Sequence, residues 1–321
     1  MALTNEIFQE HELLRKPKPR SFASKWGLTL FLMCMPAIVF VAIFNYGTIP
    51  GLLIAFKNYK VYLGMYDSPF TSLGGFQHFY DFLTDPYFWT YMKNTIVLSV
   101  TQLIIGAILP VIYALFLNEV KYKFSKRVIQ TIMYAPYFIS TVVMVGMLYA
   151  FFNTDFGVLA KLFAPIFGNQ NYMADPNGFI VIYLVSAVWQ GLGWWSIMYM
   201  GNLANVDPNL HDAARIDGAG RFRRMFSVNL PSIIPLCVIM FIMAVGNVLS
   251  VGFEKVYLMQ MSTNLSTSAI ISTYVYEISF SSGIGQFDYA TAIGLFNMLV
   301  NIILLLVCNF ISKKVSDTSL W

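Results

Sequence analysis

The residues best suited to polar contacts lie together between positions 207 and 231. This stretch holds three carboxylates, Asp207, Asp212 and Asp217, and a cluster of arginines: Arg215, Arg221, Arg223 and Arg224. Guanidinium groups bind carboxylates and phosphates through paired hydrogen bonds, and basic segments also bind anionic lipid headgroups. The stretch therefore predicts a contact either with an acidic protein surface or with membrane headgroups.

Catalytic and metal chemistry are not indicated. The three histidines are scattered, and Cys34, Cys237 and Cys308 lie in apolar windows without a second Cys or His at a metal-ligand spacing. We interpret these cysteines as small buried apolar residues. The phosphate-binding pattern G-x-x-x-x-G-K-[ST] is absent, and the apolar segments hold no nucleophile paired with a base. We therefore predict a chain that is not an enzyme, holds no metal and has no nucleic-acid partner.

The elements that position this polar stretch are membrane spans. The chain is 57% hydrophobic and 11% charged, with a mean hydropathy of +0.63, whereas soluble domains carry about 25% charged residues. A spanning helix needs about 20 apolar residues, and six windows without charge or histidine meet that length: 27–56, 94–118, 128–154, 177–206, 232–253 and 289–312. The sequence predicts an all-α polytopic membrane protein with six transmembrane helices.

Two apolar segments of the sequence differ from an ordinary membrane span. The first window is longer than a span requires, and we expect its membrane part to cover about 28–47, with Pro50 and Gly51 breaking the helix. Residues 264–281 are moderately apolar but contain Glu277 and many hydroxyls, which favours a short outer or re-entrant helix over a seventh span. The expected organisation is an N-terminal arm (1–26), a membrane domain (27–311) and a tail (312–321).

The orientation follows from the distribution of Lys and Arg, which collect in cytoplasmic loops. With the N-terminus inside, 15 of the 20 basic residues fall on the cytoplasmic side and 5 on the outer side. The outer ones are Lys57, Lys60, Lys93, Lys161 and Lys255. We therefore predict that both termini and the loop at 207–231 lie in the cytoplasm. The spans between them are predicted to be embedded in the lipid.

The loop at 207–231 reads as a helix, a glycine turn and a second helix. Asp207 is a suitable N-cap and Pro208 a suitable first helical residue. Gly218 and Gly220 should end the first helix, because glycine accepts left-handed backbone angles. The second, amphipathic piece should place Phe222, Met225 and Phe226 on one side, and Pro231 should start the next span.

The order of residues in this loop, DAARIDGAGRFRRMFSVNLP, resembles the EAA loop of bacterial ABC importer permeases. The usual family form is E-A-A-x-x-D-G-A, followed after a spacer with an aromatic residue by L-P. The matching positions are Asp212, Ala213, Ala214, Asp217, Gly218, Ala219, Leu230 and Pro231. Asp212 stands where the family usually has Glu, so we expect coupling to be retained with an altered contact geometry. Further stretches, such as WQGLGWWSIMYMGNLANVDP and NVLSVGFEKVYLM, are similar to the LplB/YteP-type branch associated with import of complex oligosaccharides.

The resemblance implies a type I ABC importer permease fold in a bacterial cell membrane. In that family the short loop helix docks into a cleft of the ATPase subunit and transmits its closure to the membrane helices. The resemblance gives this coupling role to Asp212, Ala213, Ala214, Asp217, Gly218, Ala219 and Arg221. It also implies a second homologous permease subunit, an extracellular sugar-binding protein and an ATPase dimer that carries ATP and Mg, with no cofactor in this chain.

A permease of this kind needs a substrate surface of uncharged polar and aromatic side chains. Amides suit the hydrogen bonds of sugar hydroxyls, and aromatic rings suit sugar C–H faces. The candidates within the spans are Gln190, Trp194, Trp195, Tyr199 and Asn247. The same residues also suit helix packing and interhelical hydrogen bonds. The expected cargo is a neutral or mildly acidic oligosaccharide.

The alternative function is a secondary carrier or a channel for a small polar solute. Ion-coupled carriers usually keep ionisable groups within the membrane, and the six windows contain none. A channel needs no buried charge, but the long structured inner loop argues against one. An ATP-driven importer subunit accounts for both features.

Overall fold

The computed structural model describes residues 25–168, 170–250, 252–281 and 285–315. Most of the predicted N-terminal arm and the end of the predicted tail lie outside these described residues. The chain divides into two units, residues 1–53 and residues 54–321. In the described part, helices are the regular elements, and the sole β pairing is one isolated antiparallel bridge between Lys57 and Phe70.

Fifteen α-helices follow one another along the described residues. They are α1 (Lys25–Val41), α2 (Gly64–Asp67), α3 (Gln77–Thr84), α4 (Phe88–Asn118), α5 (Lys123–Tyr134), α6 (Thr141–Phe151), α7 (Val158–Phe167), α8 (Pro176–Leu203), α9 (Pro208–Ile216), α10 (Arg221–Arg224), α11 (Leu230–Val245), α12 (Phe253–Met259), α13 (Leu265–Ser268), α14 (Ile271–Tyr276) and α15 (Phe287–Val315). Short 3₁₀ segments cover Ile49–Phe56, Leu73–Gly75, Ala135–Phe138 and Val248–Ser250, and π-helical segments cover Ala42–Tyr46, Met225–Asn229 and Glu277–Ser281.

Five helical stretches of the described residues are long and apolar enough to cross a membrane. They are Gly27–Phe56, Phe88–Asn118, Pro176–Leu203, Arg221–Val245 and Phe287–Lys314. A sixth crossing is available if Lys123–Phe138 and Thr141–Phe151, bent by 99° at a short break, count together. The chain is an all-α multi-pass membrane protein, and its spans coincide with the predicted windows.

The third window is not the single straight helix that its composition suggested. Pro136 lacks an N–H and clashes with the preceding turn, which ends α5. The Ser140 hydroxyl then accepts a hydrogen bond from the Val143 N–H at 3.4 Å and caps the start of α6. Both signals are present in the sequence, and together they produce the bend.

The first unit contains α1 and the segment that follows it. The α-helix ends at Val41, and a π-helical turn continues it to Tyr46, close to the expected end at residue 47. Pro50 and Gly51 do not end helical structure, since they lie inside a 3₁₀ segment that begins at Ile49. Cys34, expected to be buried, is exposed.

In the second unit, α4 and α8 pack against each other and hold the remaining helices around them. One apolar cluster joins α4, α6, α8 and α12 through buried residues that include Leu98, Met144, Phe179 and Val256. A second cluster joins α4, α8 and α11 through Val111, Leu203 and Ile233, among others. The two clusters lie toward opposite ends of α4 and α8, so both ends of this helix pair are anchored.

The 264–281 segment forms short helices, α13 and α14, and no span, as expected. The Asn94 side-chain amide donates to the backbone oxygens of Ser266 and Ala269, each at 3.0 Å. The Thr267 hydroxyl donates to the Pro176 oxygen at 2.9 Å. These contacts place the segment at the end of the bundle where α4 and α8 begin.

Candidate coupling loop and membrane path

The loop helix α9 begins where its cap residues predict. The Asp207 side chain accepts a hydrogen bond from the Asn209 N–H at 2.9 Å, and Pro208 occupies the first turn. Proline is suited to this position because the first helical N–H groups have no intrahelical acceptor. The beginning of α9 is therefore fixed by the local sequence.

The end of α9 is a glycine turn with two closing hydrogen bonds. Gly218 has a φ of +75°. Its N–H donates to the Arg215 oxygen at 3.0 Å, and the Ala219 N–H donates to the Ala214 oxygen at 2.8 Å, which is the Schellman pattern. Gly220 was expected to share this role, but its φ of −65° is ordinary, and it serves as the N-cap of α10.

The second loop helix runs directly into the fifth span. The helical stretch is continuous from Arg221 to Val245, so helical structure begins ten residues before Pro231, where the next span was expected to start. Met225 is buried, whereas Phe222 is 66% and Phe226 59% exposed. The three apolar side chains therefore do not share one buried face, because the π-helical turn at Met225–Asn229 changes the helical register.

The predicted coupling residues lie on an exposed helix and its turn. No residue of α9 is buried in this chain. Asp212, Ala213, Asp217, Gly218 and Arg221 are exposed, and Ala214 and Ala219 are half-buried. The Asp212 carboxylate pairs with the Arg215 guanidinium at 2.9 Å, with both side chains 62% exposed, so this pair adds little stability.

Ile216 is a residue that the loop motif did not single out. Its side chain is 87% exposed on the last turn of α9. Leu210, on the same helix, is 51% exposed. An amphipathic helix ordinarily buries such residues against another element. In this chain Ile216 is therefore left largely unpacked.

Contacts at the base of the loop connect it to two spans. The Arg224 guanidinium donates to the Ala219 oxygen at 3.0 Å and so links α10 to the turn. The fully buried Asn229 donates from its amide to the Glu119 carboxylate at 3.4 Å, just beyond the end of α4. The loop is therefore connected to both α4 and α11.

Two of the predicted path residues, Gln190 and Trp194, lie against the bend of the third span. The Gln190 amide donates to the Ile139 oxygen at 2.8 Å, which satisfies a carbonyl freed by the bend. The Trp194 ring stacks on Tyr137 with centroids 4.3 Å apart and an interplanar angle of 2°. Trp194 remains 38% exposed in this chain.

The other three predicted path residues occupy different surroundings. Tyr199 is 4% exposed and belongs to the apolar cluster with Val111 and Leu203. Trp195 is 50% exposed on α8. Asn247 is exposed, just after the end of α11. Tyr199 therefore packs as a core residue in this conformation.

The break after α11 is held by asparagines of the last span, which the sequence analysis did not select. The Asn301 side-chain oxygen accepts from the Leu249 N–H at 3.1 Å, and the Asn297 amide donates to the Leu249 oxygen at 3.3 Å. Asn301 lies near the middle of α15. A break in a membrane helix is tolerated where the freed backbone groups find partners within the protein, and in transporters such breaks often mark the substrate site.

A groove of about 560 Å³ lies between α6, α7 and the first half of α8. Its lining is mainly apolar and includes Met144, Phe151, Phe163, Val181 and Trp189. These walls offer few partners for sugar hydroxyls, so the groove is a poor oligosaccharide site.

Comparison with known proteins identifies the kind of machine to which these features belong. A family described as the binding-protein-dependent transport system inner membrane component matches residues 106–317. Protein LplB of Bacillus subtilis is 39% identical over 298 residues, 92% of this chain and 91% of that protein. The polygalacturonan/rhamnogalacturonan transport system permease protein YteP of the same organism is 35% identical, over 91% of this chain and 90% of that protein.

The fold also agrees with a solved transporter. A chain of the bacterial alginate ABC transporter, crystallised in complex with an alginate pentasaccharide-bound periplasmic protein, matches with a TM-score of 0.83 and 31% sequence identity. The match covers 94% of this chain and all of that chain. By sequence and by fold, this chain belongs to the family of inner membrane components of binding-protein-dependent ABC transport systems, in which it is a non-catalytic permease subunit.

Proposed function

We propose that this chain forms the membrane path of an ATP-driven importer for oligosaccharides. Its relative YteP is named for the transport of polygalacturonan and rhamnogalacturonan, and its structural neighbour imports alginate. The charge-free windows of the sequence suit such a cargo because they are rich in aromatic and amide side chains. These groups bind sugars by stacking and hydrogen bonding, and within these windows no charged side chain has to be desolvated.

The observation that carries the proposal is the exposed helix α9, rigidly capped at both ends and connected to two spans. We propose that Asp212, Ala213, Ala214 and Ile216 dock into a cytoplasmic ATPase subunit. The small alanines allow the helix to enter a cleft, and Ile216 supplies the apolar contact. Closure of an ATPase dimer that binds ATP and Mg would then move α4 and α11 through Asn229.

The remaining partners follow from the same assignment. A second homologous permease subunit would complete the membrane path, and an extracellular sugar-binding protein would deliver the cargo. Both termini and α9 would face the cytoplasm of a bacterial cell, in keeping with the Lys and Arg asymmetry of the sequence. The binding protein would select the sugar. The membrane path itself would bind the sugar weakly, because tight binding there would prevent passage.

For the path itself we propose contributions from Trp194, Trp195, Gln190 and Asn247, with Tyr199 supporting them from the core. Trp194→Ala removes a partly exposed ring and should reduce uptake without changing the affinity of the binding protein. Tyr199→Ala is a poorer test of sugar contact, because deleting a buried aromatic ring generally costs about 3–5 kcal/mol of stability.

The proposal is tested by reconstitution in proteoliposomes of the complex purified with its partners. ATP-dependent uptake of labelled oligosaccharides is expected, and labelled peptides and metal ions should not be taken up. Ile216→Asp, which places a charge in the docking surface, should abolish ATP-dependent uptake, whereas Ile216→Leu should preserve it. Oligosaccharide uptake that proceeds without the ATPase subunits would contradict the proposal.

A further inference from the structure

Lys255 is a buried cation in α12. Its side chain is 7% exposed, and its Nζ donates to the Tyr183 backbone oxygen at 3.3 Å. Nζ also lies 5.2 Å from the centroid of the Tyr183 ring. The ion pairs found among the described residues join other groups, His78 with Asp288 and Arg215 with Asp212.

The partners of this ammonium group do not account for its burial. An ammonium carries three N–H donors, and one carbonyl and one aromatic ring satisfy it only in part. The neighbouring carboxylate, Glu254, is exposed. A cation removed from water without a counterion is costly.

The position of Lys255 relates it to the break in the fifth span. It lies three residues beyond Gly252, after the break that follows α11, and Tyr183 lies seven residues along α8 from Pro176. At about 1.5 Å per residue, Tyr183 is roughly 10 Å along that helix. The Tyr183 hydroxyl donates to the Gln102 side-chain oxygen at 2.9 Å, and Gln102, halfway along α4, is partly exposed.

Gly252 permits this arrangement. A Cβ at this position would lie 2.6 Å from the Tyr183 hydroxyl oxygen, and the φ of Gly252 is +22°. The Tyr183 hydroxyl therefore reaches the backbone of the broken span directly. Gln102, Tyr183 and Lys255 form one polar group, contributed by α4, α8 and α12, which we call the Lys255 cluster.

We propose that the Lys255 cluster is a subsite for the carboxylate of an acidic oligosaccharide, such as a uronic acid chain, during its passage. This inference rests on the proposed function and narrows its substrate class. In the proposed passage α12 separates from α8, and this separation exposes the ammonium to the sugar. The carboxylate then supplies the counterion that Lys255 lacks, while Gln102 and the Tyr183 hydroxyl offer hydrogen bonds to adjacent sugar hydroxyls.

The test compares two forms of one sugar in the reconstituted complex with its binding protein. The first is an oligogalacturonide, and the second is the same oligosaccharide with its carboxyl groups reduced to alcohols. Variants Lys255→Gln and Lys255→Arg are measured beside Lys161→Gln, which removes an exposed lysine of α7. Direct binding of both sugars to the solubilised complex, without binding protein, is measured as well.

Lys255→Gln is expected to lower uptake and binding of the oligogalacturonide at least tenfold and to leave the reduced sugar unchanged. Lys255→Arg should keep most of the preference for the charged sugar, and Lys161→Gln should behave as wild type. Equal effects of Lys255→Gln on both sugars, or a wild type that does not discriminate between them, would overturn the subsite. If the Lys255→Gln complex does not assemble, the Lys255→Arg variant decides. Loss of its preference for the charged sugar over the reduced sugar would overturn the subsite. A wild-type complex that takes up neither sugar would count instead against oligosaccharide import.

Discussion

Gly218 shows how one residue determines the direction of the coupling helix. Its φ of +75° is costly for any residue with a side chain, and a Cβ there would meet no atom within 4 Å. The effect of a substitution therefore comes from the backbone and not from a clash. Asparagine tolerates left-handed angles better than other residues with a side chain, and β-branched residues tolerate them least.

We therefore predict that Gly218→Val uncouples ATP hydrolysis from transport, while Gly218→Asn retains most of it. The left-handed conformation costs ordinary residues about 1–2 kcal/mol, enough to favour a different turn. The measurement is uptake per ATP hydrolysed in reconstituted vesicles. Normal coupling in Gly218→Val would show that the turn does not set the position of α9.

Lys255 gives a prediction about pH. Burial lowers the pKa of Lys255 from 10.5 to about 8, so its ammonium group loses its proton as the pH rises from 7 to 9. The Tyr183 side chain beside it is a phenol, and the adjacent Glu254 is exposed. If the ammonium binds a sugar carboxylate, the affinity of the wild-type complex for an oligogalacturonide should fall over this range.

The stability of the fold should change with pH in the opposite direction to this affinity. A lysine pKa lowered by folding favours the neutral form, so the stability contribution of Lys255 increases as the pH rises through about 8. Loss of affinity above pH 8 would therefore not reflect unfolding caused by this group. In Lys255→Arg the cation persists, and the binding measured at pH 7 and pH 9 should be equal; a matching decline would point to another titrating group.

The bent third span packs on α8 through a close approach of the two backbones. Gly193 of α8 lies directly against the Met133 carbonyl at the end of α5, and a Cβ there would clash with it. Gly201, on the same helix, has open space around its Cα. The two glycines therefore form a matched pair for testing the packing of α5 on α8.

We expect Gly193→Ala to destabilise the protein by about 1–3 kcal/mol, since the inserted methyl forces the helices apart. Gly201→Ala should be neutral or stabilising by up to about 1 kcal/mol, because alanine is the better helix former. Thermal unfolding of both variants in detergent provides the comparison. Equal midpoints would mean that α5 and α8 can separate at no cost.

The sequence predicted those elements whose signals are local. Charge-free windows located the spans, and Asp207 and Gly218 bounded α9, because capping depends on neighbouring residues only. Pro136 signals the bend in the sequence, but the uninterrupted apolar window around it predicts one helix, and this prediction was wrong. Contacts such as Gln190 with Ile139, or Lys255 with Tyr183, join residues far apart in the chain, and no local pattern specifies them.

At the scale of the whole molecule, the two ends of the helical bundle differ in chemistry. One end carries the arginine-rich loop, the end of α4 and the start of α10. The other gathers the starts of α4 and α8 with the short helices α13 and α14, joined by hydrogen bonds from Asn94 and Thr267. If the arginine-rich end is cytoplasmic, the short helices face outward, where under the proposed function they would meet an external binding protein.

This orientation predicts which positions an impermeant thiol reagent reaches in intact cells. Cys34, Cys237 and Cys308 are first replaced, and single cysteines are then introduced at Lys161, Glu254 and Arg215. Lys161 and Glu254 are exposed at the predicted outer side, so cysteines there should react from outside; Glu254 is a better choice than its buried neighbour Lys255. Arg215, on the loop helix, should react only after the membrane is permeabilised.

Charge asymmetry orients spans during insertion, and a helix that docks on an ATPase must face the ATP of the cytoplasm. Labelling of position 215 in intact cells would therefore reverse the topology and contradict the coupling role of α9 at the same time.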